Sequence, residues 1–229
     1  MRPFHPFSPP VEILGIEILY FIVVVSLCLI IYRRTKELYT LSKHQGIYHF
    51  RNIFLYFAIA YAFRLASGVL LLSRELLDFD APRALIGGGL FFTGYFSTLA
   101  ILSVVMTFLT RFHTISARTT SLLLHGLAIA SSIVVFVTRS GKMLILVQAI
   151  VFALVLLTSL IASRKKQKNT FLSYNRVTFL LLFVFWLLNT WLITKKFAPI
   201  EIKIPLYILS IAVFLYLFVR VHKRIAHHG

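Results

Sequence analysis

Residues 54–72 read FLYFAIAYAFRLASGVLLL, a run apolar enough for hydrocarbon that holds one permanent cation, Arg64, near its middle. A helix needs about 20 residues to cross the apolar core of a bilayer. Helix is also the form that satisfies its own backbone hydrogen bonds in lipid. Runs of the same kind recur along the chain, so the reading of this one decides the fold. Of 229 residues, 59% are hydrophobic and 14% charged, whereas soluble domains carry about 25% charged residues. The chain is therefore expected to be an all-α polytopic membrane protein, a bundle of seven transmembrane helices forming a single domain over residues 1–229. The spans fall at about 11–32, 52–73, 85–109, 120–138, 142–163, 176–194 and 204–220.

Local signals mark the span ends. Gly46, after Lys43-His44, reads as a helix stop, and Pro205 as a first-turn residue. Pro82 with Gly87-Gly88-Gly89 marks the start of the third span. Lys and Arg set the orientation. With the amino terminus outside and the carboxyl terminus inside, fifteen of the 24 flank the spans on the inner side and eight on the outer, Arg64 lying within a span. All acidic residues but Glu37 then fall toward the outside. The formal charge of +17 is spread over short connectors. That pattern suits anionic lipid at the inner face of the bilayer and does not suit nucleic acid, which calls for a basic face on a folded domain. Leu38, Tyr39 and Leu41 make an apolar face among basic residues, so the first helix is expected to run past the membrane to about Ser42. Cys28 is the lone cysteine and allows no intrachain disulfide. The first apolar run has no small-residue cleavage site after it and reads as a retained anchor.

Arg64 stands about twelve residues into its span, a depth at which arginine costs about 2.5–3.5 kcal/mol. Ala60, Tyr61, Ser67 and Gly68 lie three or four residues away and share its face, while Leu55, Ile59, Phe63, Ala66 and Leu70 lie largely opposite. Small and polar residues line helix contacts in membranes, so Arg64 is expected to point into the bundle. Glu17 is the one carboxylate well inside a span and is the preferred partner, assisted by Tyr20 or Tyr61. Such a pair either fixes helix register or holds an anionic group of a ligand. Thr93, Ser97, Gln148, Asn189 and Tyr207 fall in the same outer half. With Glu17, Tyr20, Tyr61 and Arg64 they form the candidate ligand-binding set of an outer pocket. His125 and Ser132 share a face of the fourth span near the inner side and read as core residues.

A faint repeat runs at an offset of 125 residues. Arg51 precedes Arg64 by thirteen residues, and Arg176 precedes Asn189 by thirteen. The spans then fall into a three-plus-one-plus-three plan, as in transporters built from parallel repeats. No HExxH, GxSxG, phosphate loop or CxxC occurs. Seven acidic residues, mostly outside, are a poor basis for a two-metal site. No enzyme activity, metal or cofactor is expected. The seventh span as drawn carries no lysine for a retinal Schiff base. The Asp-Arg-Tyr and Asn-Pro-x-x-Tyr patterns of G-protein-coupled receptors are missing, as is the Pro-Gln pair of PQ-loop transporters.

Residues 36–64, KELYTLSKHQGIYHFRNIFLYFAIAYAFR, resemble a stretch of uncharacterised multi-span membrane proteins of archaea, and more loosely the seven-helix input regions of sensor kinases. The resemblance implies a membrane bundle and assigns no residue a role. The function expected first is a receptor-like or accessory module of the cell membrane, with output through a membrane or cytoplasmic protein partner. The alternative is a small-solute transporter with repeated halves.

Overall fold

The computed structural model describes residues 11–77, 83–110, 116–138, 143, 145–153, 157, 176–194 and 200–226. Among these residues the regular structure is helical, in seven segments without a strand. They are α1 (Val11–Ser42), α2 (Gln45–Leu77), α3 (Arg83–Leu109), α4 (Ala117–Thr138), α5 (145–153), α6 (Arg176–Thr194) and α7 (Ile200–Ala226). Pro82, Asp78, Asp80, the basic run at 164–168 and the end of the fifth span lie outside the described residues. Among the described residues five helices are long and apolar enough to cross a membrane: Leu14–Ser42, Gln45–Leu70, Gly87–Thr107, Arg118–Thr138 and Glu201–Lys223. A sixth stretch, Val177–Leu192, is apolar but shorter.

α1 does run on to Ser42. It stops there because Lys43 takes a left-handed conformation, with φ of 52°, and donates its N–H to the Tyr39 carbonyl at 2.8 Å. Gly46 is therefore not the stop. It lies in the first turn of α2, where its N–H is capped by His44 Nδ1 at 3.0 Å. Pro205 also differs from expectation. α7 begins at Ile200, so Pro205 falls in the second turn, on an exposed face where its missing N–H leaves the Glu201 carbonyl to other donors.

Neighbours in sequence pack together: α1 on α2, α2 on α3, α3 on α4, and α6 on α7. α1 also packs along α7. α6 reaches α2 through Phe57–Phe185 and Phe50–Phe179, with ring centroids 6.2 Å and 6.3 Å apart. α5 sits between α3 and α6, where Phe152 packs with Ile101 and Trp186. The main core is a layer of largely aromatic and branched side chains from α1, α2, α6 and α7, joined by Ala100 and Val104 of α3, with Val24, Phe54, Phe185 and Phe214 fully buried. α4 is peripheral. Leu122, Leu123, Leu127, Ile133 and Val137 are exposed, as lipid-facing side chains are, and Leu124 and Ala128 pack on Leu99 and Leu102 of α3.

The α2–α3 contact corrects the reading of the faces around Arg64. Phe63, assigned to the side away from the bundle, stacks on Phe92 and Phe96 of α3 at 4.8 Å and 5.9 Å. Gly89 leaves room for the Ser67 hydroxyl, which would have to turn away from a Cβ at that position. Close approach through a small residue is the means by which membrane helices gain packing energy.

Candidate functional site

Among the described residues three polar groups cross between helices, and the outer-half candidates other than Thr93 lie in or beside two of them. The first joins α1, α6 and α7. Tyr20 donates its hydroxyl to Asn189 Oδ1 at 2.8 Å and lies 2.8 Å from Ser210 Oγ. Asn189 Nδ2 donates to the Phe185 carbonyl at 2.8 Å and to Ser210 Oγ at 3.2 Å. These three residues are buried, so each bond avoids the cost of a bare polar group in an apolar interior. One turn closer to the start of α1, Tyr207 donates to Glu17 Oε1 at 2.7 Å, and Lys203 Nζ lies 3.7 Å from the same oxygen.

The ion pair at Glu17 is therefore formed with Lys203 and not with the expected Arg64. Lys203 was placed outside the seventh span, yet it belongs to α7 and is 3% exposed. Its signal was the four-residue spacing to Tyr207, which puts both on the face that meets α1. The last helix thus does carry a lysine, in its first turn. Arg64 is half-buried and lays its guanidinium over the Phe21 ring of α1 at 5.1 Å. Among the described residues it pairs with no carboxylate. Tyr61 is buried beside it and packs edge-on against Tyr20, with centroids 6.3 Å apart.

The second group joins α3, α5 and α6. Gln148 Nε2 donates to Ser97 Oγ at 2.7 Å, and Trp186 Nε1 donates to Gln148 Oε1 at 2.8 Å. Thr93 is half-buried on α3 and belongs to neither group. The structure thus brings together Glu17, Tyr20, Asn189 and Tyr207, with Tyr61 and Arg64 alongside, and separately Ser97 and Gln148. In both groups the polar side chains are spent on one another.

The third group joins α3 to α4. Tyr95 Oη lies 2.6 Å from His125 Nδ1, and Thr98 Oγ1 lies 3.1 Å from Ser131 Oγ. Below it, toward the α1–α2 turn, opens a cavity of about 250 Å³ between the end of α1, the first turns of α2, α3 and the start of α4. His49, Asn52 and Tyr56 of α2, Ser103 of α3, and Thr120 and His125 of α4 are in its wall. An apolar layer of Leu99, Leu102, Met106, Leu124 and Ala128 packs between α3 and α4, with Leu124 also in the cavity wall. The polar pocket therefore lies at the opposite end of the bundle from the one expected. The sequence carried its signal, since Gln45, His49, Asn52 and Tyr56 repeat at spacings of four, three and four, one polar stripe along a helix. That stripe straddles the expected span boundary at residue 52 and was lost there. Among the described residues no group of three His, Cys, Asp or Glu side chains could hold a metal ion.

The chain is 31% identical over 230 residues to an uncharacterised protein of Archaeoglobus fulgidus, an alignment covering 96% of this chain and 97% of that one. The match extends the archaeal resemblance of residues 36–64 to nearly the whole chain and adds nothing to the likeness to sensor-kinase input regions. No protein-family model matches, and no solved structure matches.

Proposed function

The chain belongs to the family of the Archaeoglobus fulgidus protein, and we propose that it is a non-enzymatic, seven-span carrier of a small solute, built from two three-helix halves. α1–α3 make one half, α5–α7 the other, and α4 is the connector. The amino terminus is outside and the carboxyl terminus inside, as the distribution of Lys and Arg favours.

The pattern of helix contacts carries this reading. Exchanging α1 with α5, α2 with α6 and α3 with α7 turns the α1–α7 seam into the α3–α5 seam and returns α2–α6 to itself. α4 has no counterpart and sits on the periphery. Side chains follow the same exchange. Tyr61 and Trp186 are 125 residues apart, and each packs or bonds to a polar residue of the first helix in its own half, Tyr20 and Gln148. Those two residues in turn bond across to the last helix of the other half, at Ser210 and Ser97. Polar side chains are thus set on both seams between the halves, where parallel-repeat transporters place their sites and where rocking of the halves opens them.

A receptor-like or accessory module, acting through a protein partner, is the second reading. The polar cavity among α1–α4 favours it, because that cavity lies within one half and on neither seam.

Cysteine access separates the two. Single cysteines at Ser97 and Ser210, in a Cys28→Ser background, are exposed to an impermeant thiol reagent in vesicles of each orientation. A carrier predicts that each position reacts from both faces. Reaction from one face alone supports the receptor reading, and reaction from neither face in folded protein contradicts alternating access.

A further inference from the structure

We propose that the cavity between the end of α1 and the starts of α2 and α4 is a binding site for a phosphate ester group. The inference is independent of the carrier reading. It begins with three side chains in the cavity wall. Asn52 is 5% exposed, Thr120 5% and His49 8%, and among the described residues none of the three has a hydrogen-bond partner for its side chain. Buried amide, hydroxyl and imidazole groups are ordinarily bonded. Elsewhere in this bundle they are, as Tyr20, Asn189, Ser210, Thr98 and Gln148 illustrate. The polar atoms of the three are not sealed in packed protein but open onto the cavity, where a ligand can supply their partners.

The charge of the surroundings selects the ligand. Among the described residues the cavity wall includes no carboxylate. Arg51, one residue before Asn52, holds its guanidinium over the rings of Tyr32, Tyr39 and Tyr48 at 5.1, 5.0 and 5.3 Å. Tyr39 and Tyr48 are themselves cavity walls, so the cation is stacked on two residues of the wall. Its Nε is buried with no hydrogen-bond partner, and among the described residues no carboxylate neutralises it. Lys43 stands two residues before the wall residue Gln45, and Arg118 two before the wall residue Thr120, and both are exposed. Glu37 is the one acidic residue on the adjoining turns of α1. A site with net positive potential and neutral donors in its wall suits an oxyanion. A volume of about 250 Å³ at the start of the Gln45–Leu70 apolar stretch suits a phosphate ester at headgroup depth. The ester comes either from a soluble phosphate compound or from a bilayer phospholipid, and the two share this chemistry.

The test uses the full chain, purified in detergent or reconstituted in nanodiscs of phosphate-free galactolipid. Glycerol 3-phosphate is compared with glycerol and sodium chloride at matched ionic strength, and phosphatidylglycerol is added to a parallel set of nanodiscs. A rise in Tm of about 4 °C or more is expected with a phosphate-bearing probe. A rise with glycerol 3-phosphate identifies a soluble ester as the source, and a rise with phosphatidylglycerol alone identifies a headgroup. Asn52→Leu should abolish the rise and Thr120→Val should at least halve it, while Ser132→Ala, whose hydroxyl bonds its own helix, keeps it. The ³¹P line width of the glycerol 3-phosphate or phosphatidylglycerol probe reads binding directly, so a variant of low stability still reports. No rise and no broadening with either probe, or a response unchanged in both Asn52→Leu and Thr120→Val, would overturn the proposal.

Discussion

Replacing Glu17 by leucine is expected to destabilise the bundle by about 2–3 kcal/mol, and replacing Lys203 by methionine in the same protein should restore most of that loss. Glu17 accepts from Tyr207 and pairs with Lys203, which is almost wholly buried. Removing the carboxylate strands an ammonium and a hydroxyl together. In soluble proteins, breaking a buried pair costs about 3–5 kcal/mol, whereas exchanging both partners for apolar groups is often neutral. The figure is lower here because the Glu17 side chain is 26% exposed. A double-mutant cycle in detergent measures the coupling, expected at about 1–3 kcal/mol. The same cycle between Glu17 and Arg64 should give additive losses to within about 0.5 kcal/mol, because Arg64 rests on Phe21. Strong Glu17–Arg64 coupling with none to Lys203 would contradict the arrangement of α7 against α1.

Phe185→Ala should cost about 2–3 kcal/mol. The ring is fully buried at the meeting of α2, α6 and α7, with Phe214 at 4.7 Å, Tyr61 at 6.0 Å and Phe57 at 6.2 Å. Phe→Ala in soluble cores costs about 3–5 kcal/mol, part of it for transfer out of water and part for the cavity left behind. In a bilayer the transfer part shrinks, since the separated helices would sit in lipid as apolar as the core, but the lost contacts remain. Phe136→Ala makes the control, because that ring is half exposed on α4. A loss at Phe185 no larger than at Phe136 would mean that the α2–α6 interface is not the centre of the bundle.

The helices were legible because hydropathy over about 20 residues is a strong signal, and α1 ends at Ser42 where the apolar face of Leu38, Tyr39 and Leu41 runs out. The inward direction of residue 60 and residue 61 followed from small and polar spacing and holds in the structure. Partners were harder to read. Arg64 and Glu17 were matched by depth and by elimination, but a pairing is decided by which helix lies opposite, and α1 meets both α2 and α7. Lys203 falls outside the apolar run because a charge ordinarily ends one, although burial against a carboxylate offsets its cost here. The helix stop went to Gly46 on residue type, whereas Lys43 took the left-handed position. The cavity was missed because its residues come from four helices, with one recognisable stripe on α2 and scattered hydroxyls on α3 and α4.

The two-half plan stands or falls on the direction in which α1 and α5 cross the membrane. In a Cys28→Ser background, single cysteines at Ser42, Gln167 and Phe79 are treated with a membrane-impermeant maleimide in intact cells and again after the inner face is opened. Parallel halves with an outside amino terminus predict labelling of Ser42 and Gln167 only after opening, and of Phe79 in intact cells. Labelling of Gln167 from the face opposite to Ser42 would contradict the plan, because α1 and α5 would then run antiparallel and no exchange of halves about the membrane normal could relate them.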